Sequence, residues 1–210
     1  MKKAIRDYII QRSRELFGTQ GYRYTSMEGI AQSCQVSKPT LYNYFSSKQE
    51  LFREVIRSLH REMDQRIMPS LEEVRGFVPR LRVLIKKSLL FTEENREMIR
   101  VLLFDAYIHF INESIQSGES PETAFQKQGC LVREHMDRQI RLLTGWLDQG
   151  VREGTVIPER DTRLMAHAIL GTIREFLLLR IFNHYPDQNC DDMAREILEF
   201  ITRGILKEEA

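Results

Sequence analysis

The stretch from Thr25 to Lys48 limits what this chain can fold into more than any other, because it reads as two short helices separated by a tight turn. Thr25 can cap the first helix, and Glu28, three residues on, completes a capping box. Ile30 and Ala31 supply that helix's apolar side. Gln35-Val36 is the turn. Ser37 can cap the second helix, and Pro39 falls in its first turn, where a missing N–H costs little. Two helices joined in this way form a helix-turn-helix, whose second helix is suited to the major groove of DNA.

The second helix sorts its residues by angle. At about 100° per residue, Leu41 and Phe45 share one side, the natural core side. Pro39, Thr40 and Asn43 point roughly the other way, with Lys38 and Tyr42 along one edge and Tyr44 along the other. A solvated helix would carry more charge on its outer face. This one offers a compact polar and aromatic surface with one cation, which suits base edges at its centre and phosphates at its margins. On pattern alone, the alternative is a surface helix in an ordinary helical protein. Lys48 then stands at the start of a further helix, where the dipole disfavours a cation unless a phosphate lies nearby.

Gly21-Tyr22, Thr25-Ser26, Ile30-Ala31, Val36-Ser37-Lys38, Thr40-Leu41-Tyr42, Tyr44-Phe45, Lys48 and Leu51 together resemble the N-terminal domain of the TetR family of transcriptional regulators. The resemblance implies an all-α homodimer: an N-terminal three-helix bundle with a helix-turn-helix, joined to a larger, divergent helical ligand-binding and dimerisation domain. It also implies, for most members, a repressor released by a small molecule. The division expected here is 1–47 for the reading head and 48–210 for the body. The residues and the resemblance together place DNA contacts at Thr25, Ser26, Ser37, Lys38, Pro39, Thr40, Tyr42, Asn43, Tyr44 and Lys48, with Lys48 on the phosphate backbone. Two positions depart from many relatives, which carry a small residue in place of Pro39 and a larger aromatic or histidine near Asn43. Asn43 can pair with adenine, whereas Pro39 has no N–H to donate.

The charge distribution agrees with a polyanion at that end. Residues 1–50 hold eight Lys/Arg against four Asp/Glu, and residues 51–210 hold 23 against 26. Met1-Lys2-Lys3 is not followed by an apolar run, and no stretch reaches membrane-spanning length, so the expectation is a cytoplasmic protein without a membrane partner. Cys34, Cys130 and Cys190 lie far apart with no CxxC, which argues against a disulfide framework or a structural zinc site. There is no HExxH, GxSxG, GxGxxG or phosphate-binding GK[ST] loop, and the five histidines are scattered, so neither an enzyme nor a cofactor is expected.

Apolar periodicity predicts helices over 4–18, 25–45 (as the pair), 48–67, 70–91, 93–115 with a break or bend, 122–150, 161–185 and 191–206, about nine in all. Pro69 is expected to end the fourth near residue 68. Pro79 either kinks the next or marks a start near Gly76. The helix over 48–67 starts in the head and leaves it, and so can act as a lever. The helix over 161–185 is apolar on more than one side. It predicts a twofold mate against Ala168, Gly171 and Thr172, with Ile197, Phe200 and Ile201 of the last helix adding bulk. Phe77, Leu81, Phe104, Tyr107, Phe110, Trp146, Arg174 and Phe176 are candidates for an effector pocket, although core packing is the simpler role for any one aromatic among them. The rival reading is an all-helical interaction or lipid-carrier protein without specific DNA binding.

Overall fold

A computed structural model describes residues 2–105, 121–158, 160–182, 184 and 188–203, and within them the side chains outside 104–105 and 121–134. The regular structure of the described residues is helical: α1 (Lys2–Gln20), α2 (Met27–Ser33), α3 (Lys38–Tyr44), α4 (Lys48–Glu72), α5 (Phe77–Glu94), α6 (Arg96–Arg100), a π-helical turn (Val101–Asp105), α7 (Pro121–Arg152), α8 (Thr162–Ile181) and α9 (Cys190–Arg203). The expected all-α class is met, with nine α-helices among the described residues. None of the described helices is long and apolar enough to cross a membrane.

The chain divides into two compact units, one of Met1–Glu62 with Asn95–Val132 and the other of Met63–Glu94 with Arg133–Ala210. In the first, α1 turns Ile9, Ile10 and Phe17 inward, at the spacings that place them on one side of a helix. Tyr22 is buried with them. The rings of Phe17, Tyr22 and Phe52 form a closed triangle, with centroids 5.7, 5.0 and 4.8 Å apart. Leu41 and Phe45 reach the same interior without exposure, as their shared side predicted. Ion pairs tie the helices together around this centre. Arg6 donates to Glu54 at 2.6 Å and covers the Phe45 ring, while Arg57 holds the other carboxylate oxygen. Arg14 donates to both Glu62 and Asn95, joining α1 to α4 and to the residue that precedes α6.

The second unit is built on burial. α9 is strongly amphipathic and presses Met193, Ala194, Ile197, Leu198 and Ile201 inward, chiefly against α5. Leu81, Leu84, Ile85 and Leu89 meet it from α5, and Ile140, Leu143, Trp146 and Leu147 complete the core from α7. Asp161 caps α8 by accepting from the N–H groups of Arg163 and Leu164 (2.8 and 3.0 Å), and so opens that helix as expected. Gly150 has its own local reason: a Cβ there would stand 2.5 Å from Val156 Cγ2, so only glycine lets the chain fold back after α7.

The structure corrects several sequence expectations. α4 does not stop near residue 68 but runs through Pro69 to Glu72. Proline forfeits one helical hydrogen bond, and burial of Ile67 and Leu71 on either side outweighs that loss. Of the two readings of Pro79, the start wins. Gly76 takes φ 83°, α5 begins at Phe77, and Pro79 lies in the first turn, where it is tolerated. The run over 93–115 breaks at Asn95 and passes through the π-helical turn. α8 ends at Ile181, short of Tyr185. Ile197 and Ile201 are spent on their own core, so of the three bulky residues offered to a mate only Phe200, 70% exposed, is on the surface.

Candidate nucleic-acid interface

Hydrogen bonds rather than burial set the geometry of the helix pair. Ser26, not Thr25, caps α2, its hydroxyl accepting from Gly29 N at 3.0 Å. Thr25 is buried and donates its hydroxyl to the Gly21 carbonyl at 2.7 Å, which closes the turn after α1. The capping box is therefore not formed, and Glu28 reaches Lys38 instead. At the turn, Gln35 adopts φ 55° and the Val36 N–H donates to Ala31 O at 3.0 Å. Ser37 caps α3 as predicted, accepting from Thr40 N at 3.2 Å, and its hydroxyl meets that of Thr40 at 2.7 Å. One hydroxyl of that pair donates to the other, which leaves the second proton for an outside acceptor.

Only Leu41 of α3 is buried. Pro39 and Asn43 are exposed opposite it, Lys38 and Tyr42 are exposed along one edge, Tyr42 by 42%, and Ser26 and Ser37 are exposed at the two caps. Thr40 and Tyr44 are half-buried. The arrangement offers a hydroxyl, an amide and an ammonium, the last paired with the Glu28 carboxylate. Those are the groups that bind phosphate oxygens and base edges.

Two electrostatic details were not legible in the sequence. The hydrogen bond from Lys38 holds the exposed Glu28 carboxyl below the ordinary carboxylate range, and Glu28 raises the Lys38 ammonium in return. Lys48 donates to the Tyr22 carbonyl at 3.0 Å and sits 4.3 Å from the Tyr22 ring centroid, so its ammonium is held at the start of α4 by α1's following turn. Around it the first turn of α4 is closed. Ser47 accepts from Glu50 N at 3.1 Å, and the Glu50 carboxylate accepts from Ser46 N and Oγ, which lowers its pKa. Residues 10 or 26 apart in sequence carry no periodic signal for such contacts.

Known proteins resemble this chain, most specifically at its N-terminal end. A family model described as bacterial regulatory proteins, tetR family, matches residues 9–55, which span α1 to the first turns of α4. The fatty acid metabolism regulator protein of Bacillus subtilis is 24% identical over 201 residues, covering 94% of this chain and 93% of the relative. The nucleoid occlusion factor SlmA of Vibrio atlanticus is 25% identical over 190 residues, covering 89% and 90%. Residues 9–55 form a TetR-family domain. A solved structure of the transcriptional regulator FadR from Bacillus subtilis, in complex with stearoyl-CoA, shares the fold with a TM-score of 0.75 at 19% identity, over 94% of this chain and 97% of that one.

The structure disperses the residues expected to line an effector pocket. Phe77, Leu81 and Trp146 are members of the second unit's core, and Phe176 packs against it half-buried. Arg174 is exposed. Tyr107 and Phe110, and the side chain of Phe104, lie outside the described residues.

Proposed function

We propose that this chain is a ligand-responsive transcriptional repressor of the TetR family. It acts in the cytoplasm as a homodimer on a palindromic operator in double-stranded DNA, with residues 1–47 as reading head and 48–210 as effector and dimerisation domain. The observation that carries this reading is the outer face of α3. Lys38, Pro39, Tyr42 and Asn43 are exposed side by side on a helix that is fixed at its cap and buries one residue. Asn43 reads a base edge, while Tyr42, Lys38, Lys48 and the cap hydroxyls engage phosphates. Two heads linked in one dimer raise affinity by making the second contact intramolecular.

The effector is a small hydrophobic or amphipathic molecule. The stearoyl-CoA held by the solved relative and the largely apolar helices of the second unit support that class. Release follows a population shift: the effector prefers a body conformation that α4 converts into heads wrongly spaced for the operator.

Selection of genomic fragments by the purified protein, read by sequencing at two salt concentrations, tests the reading. A palindromic consensus is expected, and Asn43→Ala alters that consensus more than it alters non-specific affinity. Tyr42→Phe and Lys48→Ala weaken binding to all duplexes and flatten its salt dependence. Binding without any sequence preference, equal in wild type and Asn43→Ala, would refute the assignment.

A further inference from the structure

Between Thr25 and Phe45 the chain carries two charged side chains, Glu28 and Lys38, and they are paired with each other. Glu28, in the first turn of α2, accepts from the ammonium of Lys38, the first residue of α3. Both side chains stay more than half exposed, Glu28 by 56% and Lys38 by 53%, so burial does not bring them together. The ammonium stands 6.0 Å from the Tyr42 ring centroid, between the Glu28 carboxylate and the edge of α3 proposed for phosphate. Among the described residues Lys38 makes no other ion pair. Pairing lowers the Glu28 carboxyl and raises the Lys38 ammonium, so both stay charged across the neutral range.

On a surface that meets a polyanion, such a carboxylate works against binding. It repels phosphates, and it occupies an ammonium that a phosphate would otherwise take. The fold does not require it. Ser26 and Ser37 already cap the two helices, the Val36 N–H already closes the turn on Ala31 O, and an ion pair this exposed contributes little stability.

In the major groove a carboxylate finds its best partner in the exocyclic amine of cytosine. Adenine N6 is flanked by two acceptors, its own N7 and thymine O4, whereas cytosine N4 stands at one end of its pair's pattern. The opening residues of a recognition helix are those that reach base edges, and Glu28 lies one hydrogen bond from the residue that opens α3.

We propose that Glu28 is a specificity-determining residue, which exchanges Lys38 for a cytosine amine when the head meets its operator. At a matching site the ammonium passes to a phosphate oxygen and the carboxylate accepts from cytosine N4. Where the base edge turns acceptors toward it, such as guanine O6 and N7, the carboxylate keeps Lys38 and the phosphate goes without. One cation is thus withheld from DNA at large and released at the right base pair. The inference rests on the operator binding of the proposed function, and it adds a base reader on α2 to Asn43 on α3.

Selection of genomic fragments by full-length Glu28→Ala, followed by fluorescence anisotropy on the wild-type palindrome and on a scrambled duplex, tests the exchange. Glu28→Ala should lose the preference at one G·C pair in each half-site and keep the preferences set by Asn43. On the scrambled duplex it should bind about threefold tighter, with a salt slope steeper by about one, the value of one further phosphate contact. Replacing the preferred cytosine with 2-pyrimidinone, which lacks the amine, should weaken the wild type about tenfold and Glu28→Ala far less. Lys38→Met should keep the cytosine preference while binding the palindrome more weakly. Unchanged thermal melts by circular dichroism show that the variants fold. A consensus unaltered in Glu28→Ala, or equal losses on 2-pyrimidinone, would overturn the exchange and leave the repressor reading standing. A wild type that selects no consensus would overturn both.

Discussion

α3 and α9 are both short helices, yet they are held by different means. α3 buries Leu41 alone and is placed by the Ser37 cap, the Gln35 turn and the Phe45 N–H that closes its end on Leu41 O. α9 buries five apolar residues along its 14-residue length, and its Asn189 cap is secondary. A helix positioned by hydrogen bonds at its ends keeps its sides for a ligand. One positioned by burial has already committed its largest face. The same contrast separates the head, where polar side chains do identifiable work, from the second unit, where the aromatic residues proposed for an effector are largely core.

Breaking the contrast in the second unit gives the largest effect. Ile197→Ala should cost about 3 kcal/mol in a denaturant melt, as deletion of a core side chain with a residual cavity does. Next comes acid. Burial, aided by the charge of Arg138, lowers the His135 pKa to about 4 from an ordinary 6.5. A depressed histidine contributes stability that is complete above its unfolded pKa and is lost as pH falls toward its folded one. Between pH 7 and pH 5 the wild type should therefore lose about 2 kcal/mol that His135→Gln retains, checked by paired melts at the two pH values. Ser37→Ala removes the cap of α3 and should cost about 1 kcal/mol of stability. If the contrast is right, it also weakens DNA binding, in a filter-binding assay, more than Ile197→Ala does at matched folded fraction. The smallest effect sharpens the turn. Gln35→Gly relieves a left-handed side chain and should stabilise by about 0.5 kcal/mol, visible as a raised melting temperature.

Local chemistry made the head legible. The Ser37 cap, Pro39 in the first turn, and Leu41 and Phe45 on a common side are all decided within one or two helical turns. Thr25 and Ser26 are adjacent hydroxyl residues, and only the carbonyl of Gly21, which claims Thr25, determines which one caps α2. Pro69 departs from the local rule that ends helices at proline, because the burial that carries α4 past it is tertiary. Ile197 and Ile201 form the apolar stripe that periodicity indicates, yet their neighbour is the chain's own core, because periodicity says that a face is covered but not by what. Lys38 with Glu28, and Arg6 with Glu54, depend on a three-dimensional arrangement that spacing does not encode.

Pro69 has a mechanical meaning as well. A helix transmits force through its ladder of hydrogen bonds, and a proline removes one rung while its ring wedges against the turn before it. α4 is thus a shaft of uneven stiffness, firm from Lys48 through its middle turns and compliant in the last. Strain applied near Leu71 is absorbed first as bending at that weak rung and passes up the shaft only once the bend is taken up. Such a shaft filters small disturbances and relays large ones, which sets a threshold on what the far end can feel.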